Sequence, residues 1–491
     1  MKKFLKYASL LSVVVLMAAC QDFLDVNEDP NNPVSVSPDL VLPTAQVYTA
    51  NVMHNNRYLN NLGNMMMYNW SQSDGYAWYP DEFKYNVTSS FYQQIFNYSY
   101  SNTLKMYHVL DQLDSTYSYY RAIGKIMKAY HFQLLVDCYG NIPYSEALKR
   151  SGEATPKYDD AKTIYEDLVV QLTDAIRLIN EGENAKVPGA DDAIFGGDMS
   201  KWKKFANSVK LRILIRQSSM SGRETYLKEQ FNIIASEGSG YITADVGVNP
   251  GYTNIENQQN PFWDTFGKDV SGTETMNNKA TCATDYILTF LTGTNDPRID
   301  RIYEKPSDGH LGVPQGLLDY DTPVVDAYVP EKVSNIGPGI LKGANQNAII
   351  YTLAESYFNQ AEAHFRGLIT TGDDAKTLYQ KGIQASFDYL GATGAQAYYS
   401  QVKNLVGWDA SANKLQAIIT QKWIALNGLT AEQSWFDYNR TGFPAGLPIS
   451  RLASTNDRPV RLFYPAGEYS SNGENVPAQP NAFTEKIFWG K

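Results

Sequence analysis

The side chains in this sequence best placed to do chemistry are rings on a polar loop. Trp70, Tyr76 and Trp78 stand among Asn69, Gln72, Ser73, Asp74 and Gly75, and helical periodicity fades after Trp70. Large rings on a loop are costly to expose unless something stacks on them. A sugar ring presents a C–H face that packs on an indole and a rim of hydroxyls that Asn, Asp and Gln can bond. Such chemistry is reversible capture, and it makes Trp70, Tyr76 and Trp78 the first candidate ligand contacts, with Asn69 and Asp74 as hydrogen-bonders. Trp263 and Cys282, from a later turn-rich stretch, complete the set. The same rings would serve as well to staple the loop onto neighbouring helices.

Bond-breaking chemistry finds less support. A glycosidase needs two carboxylates held roughly 5 to 10 Å apart across a cleft. The 52 acidic residues always allow a pair to be imagined, but the doublets Asp159/Asp160 and Asp373/Asp374 read as helix caps, and Asp191/Asp192 sits in a polar link. The sequence has no Gly-x-Ser-x-Gly elbow, His-Glu-x-x-His or P-loop, and His54, His108, His131, His310 and His364 are scattered. The expectation is a protein that is not an enzyme. Asp25, Asn27 and Asp29 imitate the first three ligands of a calcium loop, but Pro30 stands where glycine is needed and Val36 where the bidentate glutamate belongs. No cofactor is expected, structural calcium being the one metal with any support.

The N-terminus carries a specific signal. Lys2, Lys3 and Lys6 precede an apolar run, Leu10 to Ala19, that is short for a permanent membrane anchor, and it ends Leu16-Met17-Ala18-Ala19-Cys20. Small residues before such a cysteine look like a bacterial lipobox, so residues 1–19 read as a lipoprotein signal peptide and Cys20 as the lipidated first residue of a tether over 20–40. Several acyl chains on one cysteine anchor stably where one would not. No other stretch is apolar enough to cross a membrane. Cys138 and Cys282 remain; a disulfide is open to them, though Cys138 falls on the apolar face of a helix, which favours a buried thiol. The net charge of −10, more acidic still once the leader lysines are gone, disfavours nucleic acid.

The elements that must position these groups are helical. Ile123, Ile126, Met127, Tyr130, Leu134 and Cys138 step by three or four, Gly140 and Pro143 stop the helix, and a second stripe runs through Ile164, Tyr165, Leu168, Val169, Leu172, Ile176 and Ile179. The start of that second helix, Asp159-Asp160-Ala161-Lys162-Thr163-Ile164-Tyr165, returns as Asp373-Asp374-Ala375-Lys376-Thr377-Leu378-Tyr379, which reads as an internal helical repeat of the tetratricopeptide kind. Good N-caps alone would give part of the likeness. Lys201, Lys203, Lys204, Lys210, Arg212 and Arg216 read as the solvated face of a helix. Residues 41–237 and 345–441 are therefore assigned to a helical scaffold, 238–344 to a loop-rich insertion and 442–491 to an irregular tail. Arg440 reads as a helix-end or core ion-pair residue.

In chain order, Cys20-Gln21-Asp22-Phe23-Leu24-Asp25, Tyr139-Gly140-Asn141-Ile142-Pro143-Tyr144, Asn295-Asp296-Pro297-Arg298, Ala354-Glu355-Ser356-Tyr357-Phe358 and Trp435-Phe436-Asp437-Tyr438-Asn439-Arg440 are similar to SusD/RagB-type outer-membrane lipoproteins. The resemblance implies a mostly α fold, about four tetratricopeptide-like helix pairs with an irregular insertion bearing the ligand site. It further implies a lipid-anchored protein on the outer membrane, facing the cell exterior, that binds oligosaccharides and delivers them to a SusC-like TonB-dependent transporter without catalysis. Oligopeptide cargo is the alternative in the same role. The family's ligand contacts form no motif, so none is carried over.

Overall fold

The computed structural model describes residues 37–149, 152–318 and 325–490. The expected signal peptide, Cys20 and most of the tether lie outside these residues. The first helices are α1 (Pro38–His54) and α2 (Leu59–Met66). Then come α3 (Lys105–Asp111), α4 (Ser118–Tyr139), α5 (Ala161–Glu181), α6 (Met199–Arg216) and α7 (Glu224–Glu237). The turn-rich region adds α8 (Pro261–Phe266), α9 (Met276–Ala280) and α10 (Asp285–Gly293). The last long helices are α11 (Leu353–Phe365), α12 (Ala375–Leu390), α13 (Lys414–Leu426) and α14 (Glu432–Thr441). The scaffold is four antiparallel-style pairs, α3/α4, α5/α6, α11/α12 and α13/α14, and the two halves join where α11 packs on both α6 and α13.

The stripe expected on α5 is the face it buries: Ile164, Tyr165, Leu168, Val169, Leu172, Ile176 and Ile179 are all inside. Each such side chain contributes about 1.5–3 kcal/mol on leaving water, which is what holds a helix pair that caps alone would not. The repeated start caps its helix in the same way at both places. Asp160 Oδ1 accepts the Thr163 N–H at 2.9 Å and Asp374 Oδ1 accepts the Thr377 N–H at 2.8 Å. Tyr165 and Tyr379, five residues after each cap, are both fully buried.

The basic run on α6 is a correction. Lys210, Arg212 and Arg216 are buried, not solvated. Arg212 forks Glu355 at 2.7 and 2.8 Å, and Arg216 meets Asp437 at 2.9 Å and Asp137 at 3.3 Å. Arg440 forks Glu362 at 2.6 and 2.7 Å and reaches Asp437 at 3.0 Å, while Lys422 holds the other Asp437 oxygen at 2.7 Å. Burial alone would raise the Asp437 carboxyl; Lys422, Arg440 and Arg216 outweigh it and hold it well below the usual carboxylate range. The charges face inward because their partners come from four other helices, which spacing within α6 does not reveal.

Among the described residues, three two-stranded antiparallel sheets pin the loops. β1 (Trp70–Gln72) pairs with β5 (Thr281–Ala283), and β2 (Ile142–Pro143) with β3 (Tyr158–Asp159). β4 (Val246–Val248) pairs with β6 (Ala348–Tyr351) and closes the neck of the insertion. The insertion is less irregular than expected: α8, α9 and α10 lie within it. They are too short to show a stripe and are set by side-chain caps from Asn260, Thr275 and Thr284. The tail returns to the scaffold, where Trp489 Nε1 donates to Asp137 Oδ1 at 2.9 Å and Phe488 stacks edge-on against Tyr165 at 5.1 Å.

Candidate ligand-binding surface

β1 and β5 bring the aromatic loop and the insertion together, with Ser71 opposite Cys282 and Trp70 opposite Ala283. That pairing also removes four of the expected contacts from the surface. Trp70 is 1% exposed and Cys282 0%. The Trp70 ring packs on Phe266 and Phe262 at 5.1 and 6.4 Å, and burial raises the Cys282 thiol well above its ordinary value. Cys138 is likewise a buried free thiol. Asn69 is buried, its side-chain amide donating to Asn64 Oδ1 at 3.1 Å and its backbone carbonyl taking the Tyr303 hydroxyl at 2.9 Å. Asp74 is buried too, its carboxylate accepting the N–H groups of Gly75 at 2.9 Å and Val325 at 2.6 Å. Trp70, Cys282, Asn69 and Asp74 therefore build the loop and are closed to a ligand in this structure. An alternating strand buried on both faces explains why rings that looked exposed are not.

Tyr76 and Trp78 remain at the surface, each half-buried. They stand edge to face, centroids 6.1 Å apart at 89°. Burial first, and then the nearby charge of Glu331, push the Tyr76 hydroxyl up from its ordinary value. The Trp78 indole N–H donates to Asn277 Oδ1 at 2.6 Å, so α9 fixes the ring plane. Arg57 reaches the Trp78 carbonyl at 3.1 Å.

Gln72, buried at the end of β1, organises the whole turn. Its Oε1 accepts the backbone N–H of Trp78 at 2.9 Å and of Tyr79 at 3.3 Å; its Nε2 donates to the carbonyls of Tyr76 at 2.9 Å and Leu318 at 2.8 Å. One amide side chain thus replaces the ladder partners that an irregular loop lacks. Sequence reasoning singled out neither Gln72 nor Asn277 as a site residue. The only available signal was an amide at a strand end before a Gly-containing turn, and that pattern is common.

Trp263 lies apart from this pair. Asn260 caps α8, accepting the N–H groups of Phe262 and Trp263 at 2.9 and 3.0 Å. The helix turns Phe262 and Phe266 inward onto Trp70 and leaves Trp263 half-buried in a cleft of about 330 Å³ with Thr253, Asn254, Lys268, Asp269 and Asn345. A Cβ on Gly267 would lie 2.6 Å from the Trp263 ring, so the indole can rest there only over glycine. The structure therefore brings Tyr76 and Trp78 together and keeps Trp263 on its own. Among the described residues no cluster of three or more His, Cys, Asp or Glu is placed to hold a metal ion, and no helix is long and apolar enough to cross a membrane.

No curated protein matches the chain. Solved structures do, over nearly its whole length. A chitin-binding protein is 24% identical, covering 92% of this chain and 100% of its own, with a TM-score of 0.74. A chitin-binding SusD homolog from Flavobacterium johnsoniae is 20% identical, covering 91% and 98%, at 0.75. A SusD homolog from Bacteroides uniformis is 24% identical, covering 92% and 99%, also at 0.75. Such likeness fixes the fold. The SusD-like family model, described as starch-binding and associating with the outer membrane, matches residues 30–465. With the match spanning both helical halves and the insertion between them, the chain belongs to the SusD-like family.

Proposed function

We propose that this protein captures glycans at the outer membrane and passes them, unaltered, to a SusC-like TonB-dependent transporter. The observation that carries this reading is the Tyr76–Trp78 pair, two half-exposed rings held edge to face on a turn braced by Gln72 and Asn277. Rings fixed before the ligand arrives lose little freedom on binding. The family description names starch, and two similar structures are titled chitin-binding, which supports a neutral polysaccharide as cargo. Lipidation at Cys20 would tether the domain to the outer membrane, facing outward. Catalysis has no part in this reading: the buried carboxylates Glu355, Glu362 and Asp437 are engaged by Arg212, Arg440, Arg216 and Lys422.

The test is calorimetric titration of the domain with maltoheptaose and with chitohexaose, beside a tryptic peptide mixture. Saturable binding to one saccharide, weakened in Trp78→Ala and leaving an unchanged sugar on chromatography, is the expected result. Binding to peptides alone, or turnover of the saccharide, would overturn it.

A further inference from the structure

Five of the eight tryptophans are no more than 1% exposed, so this fold buries indoles wherever it can. The three exceptions are Trp78, Trp263 and Trp408. The first two belong to the turn after β1 and to α8, described above. Trp408 belongs to the helical scaffold, in the connection between α12 and α13, where it lines an open cleft of about 410 Å³ with Gln380, Tyr399, Ser400, Gln401 and Asp409. That volume falls within the roughly 300–1,000 Å³ of small-ligand sites.

The connection is built to hold its shape. The Tyr379 hydroxyl donates to the Val406 carbonyl at 2.8 Å, and Gln421 Nε2 donates to the Leu405 carbonyl at 2.8 Å. Ser411 Oγ donates to the Gly407 carbonyl at 2.7 Å while accepting the Leu405 N–H at 3.0 Å. Gly407 presses so closely on the chain that a Cβ there would lie 2.0 Å from the Gln401 carbonyl oxygen. The indole itself rests against Tyr379 at 5.3 Å, with the Lys414 ammonium 5.5 Å from its centroid.

The cleft's polar groups are as informative as its ring. Lys376 is paired with Asp409 at 2.5 Å, which neutralises the charge at the rim. Among the described residues the Gln380 amide, the Ser400 and Tyr399 hydroxyls and the Trp408 indole N–H have no hydrogen-bond partner. An uncharged cleft with an aromatic wall and unengaged amide and hydroxyl groups matches an uncharged, polyhydroxylated ring. Lys414, beside the ring, is turned onto the Trp408 and Ser411 carbonyls at 2.5 and 2.7 Å. Val402, 98% exposed at the edge of the cleft, adds an apolar lip.

We infer that the Trp408 cleft is a second saccharide subsite, carried by the scaffold and independent of the Tyr76–Trp78 platform. The inference rests on the glycan reading of the platform, and its test separates the two. Protein labelled with 5-fluorotryptophan is titrated with maltoheptaose and with chitohexaose while its fluorine resonances are followed, the Trp408 signal being assigned from Trp408→Phe. The Trp408 resonance should shift saturably, keep its midpoint in Trp78→Ala, and need about fivefold more sugar in Gln380→Ala, the loss of one hydrogen-bonding group. A silent Trp408 beside a responding Trp78 overturns this inference alone. A Trp408 response lost in Trp78→Ala overturns the independence of the two sites, and silence at both overturns the platform reading together with it.

Discussion

Gln72 accepts the backbone N–H of Trp78 on its side-chain oxygen at 2.9 Å, six residues along the chain and across the turn that carries the exposed rings. The same amide donates to the carbonyls of Tyr76 and Leu318. Gln72→Ala therefore leaves several enclosed backbone groups unpaired, each costing about 1–3 kcal/mol. Hydrogen exchange over residues 76–79 should rise sharply and saccharide affinity should fall, with the far-ultraviolet circular dichroism unchanged. Unaltered exchange in that turn would show that the amide does not brace it.

Trp78→Ala should weaken saccharide binding about tenfold or more, the usual effect of removing an anchoring indole. Asn277→Ala, which deletes only the acceptor of the indole N–H at 2.6 Å, should give a smaller loss in the same direction. Trp70→Phe should leave affinity near wild type, because Trp70 faces Phe262 and Phe266 and not solvent. Titration of the three variants side by side checks the order.

The Arg440–Glu362 pair predicts a large loss of stability without loss of specificity. Both side chains are buried, and breaking such a pair by removing one partner costs about 3–5 kcal/mol. Arg440→Met should lower the denaturant midpoint strongly, whereas the folded fraction should bind saccharide as before. A midpoint within error of wild type would refute this assignment.

Glu432 predicts a pH effect of definite sign. Burial raises its carboxyl from an ordinary value of 4.5 to about 7, and Oε2 has no hydrogen-bond partner. Between those values the folded state holds a proton that the unfolded state releases. The stability this provides is complete below about pH 4.5 and is lost as pH rises through about 7. Glu432→Gln, neutral throughout, should therefore gain on wild type as pH rises, by on the order of 3 kcal/mol between pH 4 and 8. Urea titrations of both proteins at the two pH values measure it; equal shifts at each would sink the assignment.

What could be read before folding was whatever depends on neighbours along the chain. Asp160 and Asp374 cap where their spacing placed them, and the α5 stripe is buried residue for residue. The candidate surface was legible only in part. Trp78 and Trp70 sit in the same polar run, and nothing local distinguishes them; the difference is made by β5, whose register hides Trp70 and leaves Trp78 beyond the last pair. Arg212 looked like part of a solvated face because Glu355, which pairs it, lies 143 residues later. The bracing role of Gln72 was illegible for the same reason, since it comes from partners that include Leu318.

The joining of β1 to β5 has a consequence for anyone who wishes to redirect this protein to new cargo. Trp78 and the Asn277 that orients it are 199 positions apart, yet they are stitched through a three-residue ladder whose register allows no slippage without turning Trp70 away from Phe262 and Phe266. Specificity should therefore be transplanted between relatives as a double cassette, residues 69–79 together with 276–283. Either half grafted alone would arrive without the template that shapes it.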